Sequence, residues 1–188
     1  MNIRKELLEG KSCQVRWVVA SHPLTPKDIL NQLINDEEEM VRLYLARNTE
    51  LPKKAFEKLA RDSSSLVRTA IAQNIKTPSE VLHKLAIAFD LSEIREAVAK
   101  HPKVFVKTLD KLSKDRCVAV RKAVASHPKT SAKSLSRLAK DTDRGVRILV
   151  AKHPNTSLKA VTSLLQDEFW EVRVNAMISA EAKKLSNS

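Results

Sequence analysis

The sequence predicts an all-helical chain, a stack of short two-helix repeats packed into an α-solenoid. Three observations predict it. The 188 residues include only two glycines and 4% aromatics but 43% hydrophobic residues, so the core must come from Leu, Val, Ile and Ala, a diet that suits packed helices and not a turn-rich β fold. A Val-Arg or Ile-Arg pair recurs at Val15, Val41, Val67, Ile94, Val120, Val146 and Val172, at steps of 26 residues with one step of 27. Within each period the apolar residues fall on two separate helical faces.

With the opening Val or Ile as position one, arginine always follows at position two. Position six is alanine in six units and position nineteen is leucine in six, from Leu33 to Leu164. Residues 2–10, with Leu7 and Leu8 in register with a preceding half-unit, are expected to form an N-terminal capping helix within segment 1–14. Six repeats then fill 15–171. Residues 172–188 supply one more first helix and a polar tail, all within one domain. The first helix of a unit covers roughly positions one to seven, with positions one, four and five buried. His-Pro or Asn then stops it, because the residue before proline avoids the helical region. Thr-Pro opens the second helix, as in Thr25-Pro26 and Thr77-Pro78. Threonine is expected to cap it, with proline at its first turn and Asp28 or Glu80 completing a capping box. Positions twelve, sixteen, nineteen and twenty are expected to form its buried face. Helices this short are unstable alone; stacked neighbours are needed to close the core.

The pattern Val-Arg-x-Ala-Val-Ala-x-His/Asn-Pro-x-Thr-Pro, followed by Leu-x-x-Leu-Ala-x-Asp, resembles the leucine-rich repeat variant, a bacterial relative of the HEAT-like α-solenoids. The resemblance spans about residues 15–179. It implies a right-handed superhelix of alternating helices, some of them 3₁₀. A founding member of that family carries an N-terminal iron–sulfur cluster held by cysteines. Cys13 and Cys117 provide no such set, so no cofactor and no metal is expected.

Aspartate stands at position twenty-two in five units, six residues ahead of the next arginine: Asp36 and Arg42, Asp62 and Arg68, Asp115 and Arg121, Asp141 and Arg147, Asp167 and Arg173. Asp90 and Arg95 serve the unit with the extra residue. These pairs are expected to form a structural ladder between units. His22, His101, His127 and His153 occupy position eight, where other units carry Asn48 and Asn74. Repeats about 10 Å apart cannot share a zinc bound at about 2 Å, so this column is expected to end helices through backbone hydrogen bonds. Trp17 and Trp170 are far apart in sequence, and no catalytic acid gathers aromatics as a HEAT-like DNA glycosylase would require. No enzyme is expected.

The lysines are the one functional lead. Residues 1–94 hold 14 Lys+Arg against 13 Asp+Glu, whereas residues 95–188 hold 20 against 9. Lys103, Lys107, Lys111 and Lys114 step by four, four and three; Lys129, Lys133, Arg137 and Lys140 repeat the steps at the same repeat positions. Lys54, Lys58 and Arg61, with Lys84 and Lys159, extend the pattern into other units. Such steps place each set on one helix face, and stacking would sum the fields of columns about 10 Å apart, close to the Debye length. The expected function is a non-catalytic binding scaffold for a protein partner, with nucleic-acid backbone binding through the same basic face as the alternative. No apolar run is long enough to cross a membrane, there is no signal sequence, and the two distant cysteines suit reduced thiols, so the expected compartment is the cytoplasm.

Overall fold

A computed structural model of the chain describes residues 12–88 and 91–185. Thirteen α-helices and no strand are found among the described residues. The chain divides into two compact units, Met1–Lys103 and Val104–Ser188. The helix expected over residues 2–10 and the aspartate of the Asp90–Arg95 pair lie outside the described residues.

The first unit contains α1 (Cys13–Ser21), α2 (Lys27–Gln32, continued as a 3₁₀ turn over Leu33–Asn35), α3 (Glu39–Arg47), α4 (Lys53–Leu59), α5 (Ser65–Gln73), α6 (Ser79–Ala88) and α7 (Ser92–Lys100). The second contains α8 (Val106–Leu112), α9 (Val118–Ser126), α10 (Ala132–Leu138), α11 (Arg144–Lys152), α12 (Leu158–Leu164) and α13 (Trp170–Leu185). First helices pack on first helices, as α1 on α3 and α9 on α11. Most helices are seven or nine residues long, below the length at which a helix stands alone in water. Packing supplies the stability.

The core repeats as the sequence does. Position one is fully buried from Val41 onward, and position five is fully buried as Leu45, Ile71, Val98, Val124 and Val150. On the second helices Leu30, Leu82, Leu109 and Leu135 at position sixteen are likewise shut from solvent. Each such side chain contributes about 1.5–3 kcal/mol by leaving water.

Two expectations about the second helix need correction. Position twelve is not on its buried face. It is the N-cap, occupied by Pro26, Pro52, Phe105, Ser131 and Ser157. Position fifteen takes its place in the core: Ile29, Ala55, Val81, Thr108, Ser134 and Ala160 are all buried. With the helix starting at position thirteen, positions fifteen, sixteen and nineteen share one face. Threonine, in turn, does not cap the second helix. Its hydroxyl reaches back to the carbonyl of position five in the first helix, at 2.6 Å in Thr25→Val19, Thr77→Ile71, Thr130→Val124 and Thr156→Val150. The following proline has no N–H to donate, and its own carbonyl starts the second helix, accepting from Leu30 at 3.0 Å and from Leu82 at 3.0 Å. Serine does cap where it replaces proline: Ser131 and Ser157 accept from the N–H of Ser134 and Ala160.

Candidate functional site

Two polar columns run through the repeats, and both join one repeat to the next. At position eight, Asn48 Nδ2 donates to the carbonyl oxygens of Ala20 (2.8 Å) and His22 (3.1 Å), and Asn74 Nδ2 to those of Ala46 (2.8 Å) and Asn48 (2.9 Å). Histidine does the same work with a ring. His153 Nε2 lies 3.0 Å from the carbonyl of His127, and His101 Nε2 lies 2.9 Å from that of Asn74. The other ring nitrogen accepts the main-chain N–H two residues on, from Lys103, Lys129 and Asn155. A main-chain N–H can only donate, so Nδ1 is the accepting nitrogen and Nε2 is the one that faces the carbonyl. The two residue types are therefore interchangeable here. His153→Asn should leave stability within about 1 kcal/mol of wild type. His153→Leu leaves the His127 carbonyl with only the Thr130 N–H, removes the acceptor of the Asn155 N–H, and should cost about 1–3 kcal/mol in urea unfolding.

The second column is the arginine ladder, and its wiring differs from the expected one. Four of the arginines take the carboxylate twenty residues later, at the end of their own repeat; twenty residues after Arg68 the sequence has Ala88. Nε and Nη2 of Arg16, Arg42, Arg121 and Arg147 make two parallel bonds to Asp36, Asp62, Asp141 and Asp167, with Nε–Oδ2 distances of 2.7, 2.7, 2.6 and 2.6 Å. The aspartate six residues earlier is contacted through its main-chain carbonyl, at 2.6–2.8 Å in Arg42→Asp36, Arg68→Asp62, Arg121→Asp115, Arg147→Asp141 and Arg173→Asp167. Sequence spacing alone cannot tell a carboxylate contact from a carbonyl contact. Each aspartate also accepts an N–H two residues on, as Asp141 does from Asp143. The ladder charges are nearly buried, with Arg121 at 13% and Asp141 at 5% side-chain exposure. The arginines stay charged: the carboxylate hydrogen bond raises their pKa further, although burial opposes it. In Arg42, Arg121 and Arg147 all three guanidinium nitrogens donate to acceptors of the chain itself.

The lysines behave differently. Lys107 and Lys111 lie exposed on α8, Lys133 is exposed on α10, Lys159 on α12, and Lys114 and Lys140 in the turns after α8 and α10. None of these six has a salt bridge to a carboxylate among the described residues. Lys107 lies over the Phe105 ring at 5.1 Å. Elsewhere in the second unit the acids are already engaged. Lys122 pairs with Asp143 at 3.2 Å, Arg144 with Glu171 at 3.6 Å and Lys184 with Glu181 at 3.3 Å. Free positive charge thus collects on the second helices. Lys107, Lys133 and Lys159 all stand at position fourteen. Lys129 is exposed in the turn before α10, and Lys103 is exposed at the end of the first unit.

Arg137 does not belong with them. It is half-buried, and its Nη1 donates to Ser113 Oγ at 2.6 Å. Asp110, an acid standing within the basic set, accepts from Ser131 Oγ at 2.5 Å and Ser134 Oγ at 2.7 Å. Burial pushes the Asp110 pKa up. The two hydroxyl bonds, with Arg137 and Lys133 nearby, outweigh this and hold it below the ordinary carboxylate range. This network of Asp110, Ser113, Ser131, Ser134 and Arg137 joins α8 to α10. Its signal in the sequence was a serine in each of two core slots, positions fifteen and twenty.

In the first unit Lys54, Lys58 and Arg61 line an open groove of about 820 Å³, together with Asp36, Glu37, Glu57 and Asp62. Its walls carry both signs of charge. Among the described residues no three His, Cys, Asp or Glu side chains form a group able to hold a metal ion, and no helix is long and apolar enough to cross a membrane.

The chain is similar to a solved leucine-rich repeat variant, at 29% identity and a TM-score of 0.72 over 90% of this chain. It spans 66% of that protein's length. The YibA protein of Escherichia coli shares the fold at 19% identity and a TM-score of 0.59, over 93% of this chain and 76% of that one. No protein-family model and no curated protein matches the chain in sequence. The likeness to the leucine-rich repeat variant holds in three dimensions as it does in the repeat.

Proposed function

Given a helical repeat scaffold of the leucine-rich repeat variant type, we propose that this chain is a non-catalytic binding scaffold. Its ligand is an acidic protein segment, and the binding face is the second-helix face around Lys107, Lys111, Lys114, Lys133 and Lys140, with Lys129 beside it. The observation that carries this reading is the sorting of cations. Those on the first helices are mostly spent on carboxylates, whereas those on the second helices are not.

The face is not uniformly polar. Val106 and Leu158, 44% and 54% exposed, stand immediately before Lys107 and Lys159. A surface that alternates exposed apolar and cationic residues suits a protein segment carrying both acids and apolar side chains. A specific observation also favours the second reading, nucleic-acid backbone: the lysine at position fourteen recurs in three successive repeats, a regular step that would suit a regularly charged polymer.

Fluorescence anisotropy separates the two. A labelled Asp/Glu-rich peptide with interspersed leucines should bind, with only moderate loss of affinity as salt rises. A duplex oligonucleotide should bind weakly, with affinity falling log-linearly in salt. Tight duplex binding with no peptide binding would transfer the site to the nucleic-acid reading.

A further inference from the structure

Positions fourteen, eighteen and twenty-one of the repeat are all basic in three repeats: Lys54, Lys58 and Arg61 in the second, Lys107, Lys111 and Lys114 in the fourth, and Lys133, Arg137 and Lys140 in the fifth. In the other three repeats those positions hold only Lys84 and Lys159 as cations. In the second repeat the three bases line the open groove of about 820 Å³ in the first unit. Lys54 and Lys58 lie on α4 and Arg61 in the turn after it. Steps of four and three keep them on one side, within about 10 Å along the helix axis. The groove is also lined by the end of the preceding second helix, from Ile34 to Glu37.

The charges of this groove are not equally committed. Asp62 accepts two bonds from Arg42, at 2.7 and 3.1 Å, and Asp36 accepts two from Arg16 at the same distances. Glu37 lies 3.7 Å from Arg16. In the acidic run that follows, Glu39 accepts from the Ser64 hydroxyl. Lys54, Lys58 and Arg61, by contrast, are exposed and make no ion pair among the described residues. Glu57 is the lining acid left with them. Asp110, at the same repeat position, is held by Ser131 and Ser134 of the next second helix. The places matching those serines are Pro78 and Val81, which offer no hydroxyl, and Glu57 stays exposed.

We infer that this groove is an anion site of its own, taking a small ligand that carries a diphosphate or triphosphate group. Three uncommitted cations face one uncommitted acid, and a concave wall concentrates the field they make. The volume lies within the roughly 300–1,000 Å³ of small-molecule sites. Arg61 presents a planar fork to a phosphate, and the two lysines act as point charges. A compact polyanion sets its charge among the three bases, whereas a long acidic segment would also have to pass Glu37 and Glu57. Ile34 supplies an apolar patch for the remainder of the ligand. The site is distinct from the lysines of the second unit and does not depend on what they bind.

Amide chemical-shift mapping of the full chain, titrated with inorganic tripolyphosphate, tests this. The amides of residues 34–37 and 54–63 should move together on one saturable curve, and inorganic phosphate should bind there at least ~10-fold more weakly. Lys54→Gln with Lys58→Gln should raise the dissociation constant at least ~30-fold, whereas Lys53→Gln, an exposed lysine of the same helix outside the groove, should change it less than ~3-fold. Glu57→Gln should tighten binding about 3-fold, because it removes the one opposing charge. All four residues are exposed, and the same spectra report that each variant is folded. Shifts spread without saturation over the exposed lysines of the whole chain, equal weakening by Lys53→Gln and by the double variant, or a Glu57→Gln variant that binds no tighter would overturn the proposal.

Discussion

Asp141→Ala is expected to lower the unfolding free energy by about 3 kcal/mol, a large share of the roughly 5–15 kcal/mol of an ordinary domain. The substitution removes both acceptors of the Arg121 fork, at 2.6 and 2.9 Å, and leaves a nearly buried guanidinium with only main-chain carbonyls. It also removes the acceptor of the Asp143 N–H at the entry to α11. Removing both charges together, as Arg121→Met with Asp141→Leu, should recover much of the loss, because no uncompensated charge remains. Urea unfolding of the two single variants and the double variant measures the coupling.

The same ladder sets the acid limb of stability. Burial raises the pKa of Asp62 and Asp167, but the bonds from Arg42 and Arg147 and from the N–H of Ser64 and Phe169 outweigh it and hold both below the ordinary range. A carboxylate whose native pKa lies below its unfolded value of about 3.9 contributes stability above that value. The contribution is lost as pH falls through the native pKa. Stability should therefore drop as pH falls below about 4, and less steeply in Asp62→Asn with Asp167→Asn, whose stability at neutral pH is already reduced.

The second large effect is on binding. Reversing Lys107, Lys111, Lys133 and Lys140 to glutamate removes four free cations and installs four anions on α8, α10 and the turn after α10. All four are exposed and none has a salt bridge, so the helical circular dichroism signal should stay intact and thermal stability should change little. Affinity for an acidic peptide should fall by at least about 100-fold, since attraction becomes repulsion at several points of contact. Retention on heparin should disappear. Arg137 is left in place because it holds Ser113 from within the α8–α10 network; its replacement would confuse packing with charge. Unchanged peptide binding in the folded quadruple variant would reduce the lysines to solubility residues.

Much of this fold was legible because period and polarity repeat together. Leucine at position nineteen and alanine at position six report burial directly, and each second helix lies where its leucines place it. The turn was less legible. Thr-Pro has the composition of a helix start, yet the threonine hydroxyl finds a nearer acceptor in the helix just ended, a contact that depends on how tightly the turn closes. The ladder shows a further limit: an arginine stands six residues after one aspartate and twenty before the next, and only the fold decides which carboxylate it reaches. The lysines were legible as a spaced set. The half-burial of Arg137 and the bonds of Asp110 to Ser131 and Ser134 were not, because both depend on serines in core slots drawing charged partners inward.

Amide chemical-shift mapping tests the central claim most directly. The protein, at 21.1 kDa, is within reach of such spectra. On titration with an acidic peptide, the perturbed amides should cluster on α8, α10, α12 and the turns carrying Lys114, Lys129 and Lys140, while the arginine ladder and the faces of α9 and α11 stay unmoved. Perturbations centred on α9, α11 or the ladder, or none at all, would contradict the division between ladder cations and those of the second-helix face.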